Sequence, residues 1–191
     1  MLRKITLILL VLASLLVGCQ AAGEADSPST SSPISLTDGL ERVVTLSAPA
    51  QRVVSLTPAN TEILFAIGAG AQVVGRDMFS DYPPEAASVQ DIGGSFGEYD
   101  LETIVALQPD LVLAGEINPP ELVASLEGLG LTVFLLPNPA GFPELFTNLG
   151  TVGKLTGHEA EVVDLVDSLS ARVAAVEAAT MSVTAIPGVY Y

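Results

Sequence analysis

Tryptophan is absent from the chain, and cysteine and histidine occur once each. A single thiol excludes a framework of internal disulfides, and a single imidazole excludes a metal site built from several histidines. Bases are nearly as scarce: 7 Lys and Arg stand against 22 Asp and Glu in 191 residues, for a formal net charge of -15. A nucleic-acid surface needs the opposite balance, because phosphates must be neutralised, so no nucleic-acid partner is expected. Aromatic residues make up only 5% of the chain, so their positions carry information. Apolar residues are plentiful at 49%, and the mean hydropathy of +0.53 excludes disorder for the bulk of the chain. The length allows one domain with an appendage.

Arg3 and Lys4 precede an apolar run from Ile5 to Val17. That run is shorter than the roughly 20 residues a bilayer-spanning helix needs, so residues 1–18 read as a secretory signal. It closes on Leu16-Val17-Gly18-Cys19, which resembles a bacterial lipobox, with the only cysteine where the lipobox requires its thiol. Cys19 is therefore expected to be lipidated and to start the mature chain. Residues 19–35 are small, polar and rich in Pro and Ser, and read as a flexible tether. A lipidated tether holds an acidic domain at the outer face of the cell membrane or in the periplasm, without protein–lipid contact.

Beyond the tether the pattern predicts an α/β fold. Residues 34–46 (ISLTDGLERVVTL) place Asp38-Gly39 between two alternating runs, which reads as a β-hairpin. Apolar strands then alternate with helices. Val53–Leu56 is a strand; Thr57 is an N-cap with Pro58 behind it; a helix over Ala59–Ile67 stops at Gly68. Gln72–Val74 is a second strand, and Asp100 caps a helix over Leu101–Leu107. Leu111–Ala114 and Leu131–Leu136 are further strands, with helices over Glu121–Leu129 and Pro143–Thr156. Continuous apolar strands separated by helices indicate a Rossmann-like lobe, its mostly parallel sheet covered on both faces. Val162, Val163, Val166, Leu169, Val173 and Val176 recur at helical spacing along a helix that is long for so small a lobe. The expected organisation is an α/β lobe over 36–157, a long helix over 158–180 bridging to a second lobe, and over 181–191 the start of that lobe, truncated after a few residues of strand.

Ligands of open α/β sheets sit beyond the carboxyl ends of the strands. The loops there are Thr57–Asn60, Gly75–Pro84, Gly93–Tyr99 and Gly115–Asn118. Phe79, Tyr82 and Phe96 fall in two of them. Tyr82, beside Pro83-Pro84, reads as a staple of its own turn, whereas Phe79 and Phe96 read as a broad face for a bulky ligand.

Four segments together carry a resemblance: Arg52–Glu62 (RVVSLTPANTE), Val74–Pro83 (VGRDMFSDYP), Asp100–Val112 (DLETIVALQPDLV) and the long helix. In this order, behind a lipobox, they resemble the substrate-binding proteins of ABC importers for cobalamin, haem and ferric siderophores, over about residues 36–191. The resemblance implies two lobes bridged by one rigid helix, a metal chelate bound between them, and delivery to a membrane permease dimer. It implies ligand contacts from Phe79 and Phe96, with Thr57 and Gly115 on the neighbouring loops. Gly115 falls where some cobalamin binders place a large aromatic, a departure that weighs against cobalamin specifically. It also implies that Glu102 docks onto permease arginines, although the helix dipole alone favours an acid in that first turn. No cofactor and no protein-supplied metal ligand is expected; any metal enters inside the chelate.

Competing readings find less in the residues. Gly68-Ala69-Gly70-Ala71 superficially matches a phosphate-binding loop, but it follows a helix and precedes a strand, the reverse of the required order. No nucleophile–histidine set or paired carboxylates mark an enzyme, and His158 reads as exposed at a helix start. A zinc or manganese carrier needs more histidines than one. A surface sensor or interaction lipoprotein using the same lobe is the remaining alternative.

Overall fold

The computed structural model describes residues 32–95, 97–184, 188 and 190. The signal, Cys19, most of the tether and Phe96 lie outside the described residues, as does most of the strand expected at the end of the chain.

In chain order the elements are β1 (Ile34–Thr37), β2 (Val43–Leu46), β3 (Val53–Ser55), α1 (Pro58–Ala66), β4 (Val73–Arg76), β5 (Gly93–Ser95) and β6 (Glu98–Tyr99). They continue with α2 (Leu101–Ala106), β7 (Leu111–Gly115), α3 (Pro120–Gly128), β8 (Val133–Leu136), α4 (Phe142–Thr156) and α5 (Glu159–Thr180). The first two strands form the expected antiparallel hairpin, with Ile34 opposite Leu46 and Thr37 opposite Val43. The central sheet is parallel, in the order β4-β3-β7-β8. This is the expected lobe, and its strands alternate between two cores. Val53, Leu111, Leu113, Phe134 and Leu136 face the side covered by α1, α4, the start of α5 and the hairpin. Val54, Val112, Ala114, Val133 and Leu135 face the side covered by α2 and α3. Both faces of β7 are buried throughout, which is why its sequence shows no alternation.

Local chemistry places the ends of the elements. Thr57 caps α1, its hydroxyl accepting from the Asn60 N–H, and Pro58 supplies a first-turn residue that has no N–H to satisfy. Gly68 ends that helical segment with a φ of 85°, the left-handed conformation that favours glycine. Asp100 caps α2 by accepting from the Thr103 N–H at 2.9 Å.

Several expectations need correction. Gly93–Ser95 and Glu98–Tyr99, read as part of a loop, pair instead as the short antiparallel strands β5 and β6. His158 is not exposed: it is half-buried where α5 turns back beside Gly68, and its Nδ1 has no hydrogen-bond partner. The apolar stripe of α5 is shorter than its spacing implies. Val162 is buried and Leu165, Val166 and Leu169 pack on the core, but Val163 and Val176 are exposed. Val163 points away from the core next to buried Val162, and Val176 lies past Leu169, the last residue packed on the core in this 22-residue helix of about 33 Å. Among the described residues no helix is long and apolar enough to cross a membrane.

Candidate functional site

All four central strands run in one direction, so β3, β4, β7 and β8 deliver their following loops to one edge. Two adjoining clefts lie there. The first, of about 520 Å³, is lined by Thr57, Asp77, Phe79, Gly94, Gly97, Tyr99 and Asn118 among others. The second, of about 450 Å³, runs from Thr57 and Asn60 past Gly115 and Glu116 to Pro137, Asn138 and Asn148. Thr57, Pro58 and Ile117 border both. Two large apolar side chains stand bare at the first cleft: Phe79, 58% exposed, and Ile117, 83% exposed.

Beneath these side chains the polar groups bind one another. Asp77 is buried directly after β4, where its carboxylate accepts from the Ser80 hydroxyl and, at 3.2 Å, from the Phe79 N–H. The Thr61 hydroxyl donates to Ser80 Oγ at 2.9 Å and lies 2.8 Å from Ser55 Oγ, tying the Phe79 loop to α1 and β3. On the other wall, the Tyr99 hydroxyl donates to the Leu56 carbonyl at 2.8 Å and accepts from Asn118 Nδ2 at 2.8 Å. Asn118 Oδ1 in turn accepts from the Gly115 N–H at 2.9 Å. Burial pushes the Tyr99 phenol above its usual range, and the Asp77 charge adds to the rise, while the Asn118 hydrogen bond acts against it. Tyr99 is therefore a neutral fastening between hairpin and sheet. A side chain at Gly115 would bring a Cβ within 3.1 Å of Thr57 Cγ2, so this position contributes space and a close approach. Among the described residues no group of His, Cys, Asp and Glu is placed to hold a metal ion.

A family described as periplasmic binding protein matches residues 53–191. The chain belongs to that family. An uncharacterized ABC transporter substrate-binding lipoprotein of Bacillus subtilis is 31% identical over 169 residues, covering 84% of this chain and 53% of the relative. The crystal structure of a periplasmic vitamin B12 binding protein of Vibrio cholerae superposes with a TM-score of 0.63 at 28% identity, covering 70% of this chain and 52% of that one. A periplasmic heme binding protein from Pseudomonas aeruginosa gives 0.64 at 26% identity, covering 73% and 51%. The chain spans about half the length of these relatives.

Of the residues singled out from sequence, this member of the family brings Thr57, Phe79 and Gly115 together at the sheet edge. Tyr82 is corrected. It is 64% exposed and faces away with Glu62, Phe65 and Glu85, because the Asp77–Ser80–Thr61 network, not its ring, holds the loop. Glu102 lies apart from the clefts, exposed in the first turn of α2 beside Leu101, Val105 and Leu129. Phe96 and Cys19 are outside the described residues. Sequence reasoning passed over Asp77, Tyr99, Ile117 and Asn118. Ile117 left a signal, an apolar residue following an acid in a strand-to-helix loop. Asp77 left none, since an acid in a loop is ordinarily solvated.

Proposed function

We propose that this chain provides the first ligand-binding lobe of an extracytoplasmic solute-binding lipoprotein. It captures a metal chelate, a corrinoid, haem or ferric siderophore, and passes it to the permease dimer of an ABC importer. The observation that carries this reading is the pair of clefts at the carboxyl edge of the sheet, with Phe79 and Ile117 bare beside them, in a chain of the periplasmic binding protein family. Bare apolar rims over a satisfied polar floor suit a ligand that is largely a surface to be covered. Phe79 and Ile117 supply contact area, Thr57 and Gly115 shape the floor, and Phe96 is assigned as a further ligand contact. No bond is made or broken in this role.

Three further assignments belong to the same reading. Cys19 carries the acyl anchor after removal of residues 1–18, with 19–35 as tether. The lobe over 36–157 hands over to a bridging helix, 158–180, whose bare second half leads into residues 181–191. Glu102 docks onto permease arginines, where a carboxylate with apolar neighbours accepts charge-assisted hydrogen bonds. None of the relatives described above is named as a sensor, and that alternative has no observation in its favour.

Titration of the folded chain with cobalamin, haem and a siderophore panel by equilibrium dialysis tests the reading. Saturable binding of one class is expected, and failure of all three overturns it. For Glu102→Ala, permease docking weakens while chelate affinity stays the same; equal loss of both contradicts the docking role. Mass spectrometry of the membrane-bound protein checks the acyl group on Cys19, which Cys19→Ser removes.

A further inference from the structure

The proposed function leaves open which chelates the clefts admit, and the placement of charge answers this. From Ser32 onward the only Lys and Arg are Arg42, Arg52, Arg76, Lys154 and Arg172. None lines either cleft. Arg42 is held by Asp38 and Glu127. Arg52 donates from Nε to the carbonyls of Leu107 at 3.1 Å and Gln108 at 3.2 Å, at the opposite edge of the sheet. Arg76 donates to the carbonyls of Asp77 and Ala86, faces Asp91, and keeps only 12% of its side chain exposed. Lys154 lies about 18 Å along α4 from its cleft-side start. Arg172 lines a separate groove with Phe142, Leu169 and Glu177.

Carboxylates, by contrast, reach both clefts: Asp77 in the first and Glu116 in the second. The other anion-attracting device of an α/β sheet is the N–H groups at a helix N-terminus. Here prolines remove some of those donors: Pro58 in α1, Pro119 and Pro120 at α3, and Pro143 in α4. At α1 the Asn60 N–H is already given to Thr57.

We infer that these clefts select electroneutral or cationic chelates and disfavour anionic ones. An amide-clad corrinoid or a ferric trishydroxamate with a free amine is admitted; a ferric triscatecholate, a trianion, is repelled. The inference rests on the chelate reading and narrows it. The acidic field of the whole lobe acts in the same direction, and salt screens it.

Equilibrium dialysis of the chain at low ionic strength against cyanocobalamin, ferrioxamine B and ferric enterobactin tests this. The better of the first two is expected to bind at least about tenfold tighter than the trianion, and the gap narrows in about 1 M salt. Glu116→Lys, a substitution at an exposed rim position, raises affinity for the trianion and lowers it for the cation, while Arg172→Ala changes neither. Equal or tighter binding of the trianion overturns the inference and leaves the chelate reading standing. So does a preference that neither salt nor Glu116→Lys alters. Failure of all three probes, and of haem, to bind the folded chain removes the chelate reading, and this inference with it.

Discussion

Two loops of this protein begin with a buried aspartate, and they end in opposite ways. Asp38 follows β1, and Asp77 follows β4. Each carboxylate accepts the N–H two residues on: Leu40 to Asp38 at 2.9 Å, Phe79 to Asp77 at 3.2 Å. The next partners differ. Asp38 receives the Arg42 guanidinium and the Leu135 N–H, and the neighbouring Gly39 N–H donates to the Leu135 carbonyl at 2.8 Å. A Cβ at Gly39 would come within 2.7 Å of Leu135 Cδ2, so only glycine lets the loop lie that close to β8. Asp77 receives only a hydroxyl and N–H, and is tied through Ser80 and Thr61 to α1. The first loop is stitched flat to a strand, with Leu40 packed on the core. The second is held from beneath, leaving Met78, Phe79 and Tyr82 bare. One turn chemistry thus serves stability in one place and display in the other, according to what lies within reach of the carboxylate.

The comparison breaks most visibly at Asp38. Asp38→Ala strands the N–H groups of Leu40, Arg42 and Leu135 and takes from the Arg42 guanidinium the buried one of its two carboxylates, leaving Glu127, and is expected to cost about 3 kcal/mol in urea unfolding. A loss no larger than that of Asp77→Ala would place the two aspartates in one class. Asp77→Ala is expected to cost about 2 kcal/mol, since no ion pair is broken, but also to lower several-fold the affinity for whichever chelate binds, as the Phe79 loop loosens. Asp77→Asn, which still accepts from the Phe79 N–H, retains more of both.

Acid sharpens the same contrast. Burial acts to raise the Asp38 carboxyl, but the Arg42 guanidinium and the N–H groups of Arg42, Leu135 and Leu40 outweigh it and hold it below the usual range. The stability it adds is complete above the unfolded value, about 3.9, and is lost as pH falls through the lower folded value. Asp38→Asn therefore flattens the acid limb of a stability–pH curve, and an unchanged limb contradicts the assignment. The smallest effect on folding is expected at the display side. Phe79→Ala shifts stability by less than about 0.5 kcal/mol while affinity for whichever chelate binds falls about tenfold. A large stability loss would mean the ring packs on the core rather than on a ligand.

Much of the fold was legible because its signals are local. Thr57-Pro58, Gly68 and Asp100 set helix ends through groups within a few residues, and they hold in the structure. Apolar runs marked the strands for the same reason. The misses share a different origin. The half-buried His158, the bare Val163 and Val176, and the outward Tyr82 depend on which element lies opposite. At the site, Phe79 was legible as a rare aromatic in a loop. Asp77, Tyr99 and Asn118 were not, since their roles come from hydroxyl, carbonyl and amide partners as many as 43 positions away.

The order of elements, their capping residues, the scarcity of bases and the motifs of the family are properties of the residues in line, and the sequence alone determined them. Tertiary structure alone decided that Arg42, Arg52, Arg76, Lys154 and Arg172 lie away from the clefts, that one buried aspartate pins a loop while another props one up, and that Ile117 stands bare beside Phe79. The reason is that charge and burial act through space. Composition counts the carboxylates and guanidiniums, but only the packing of strands and helices sets the distances between them.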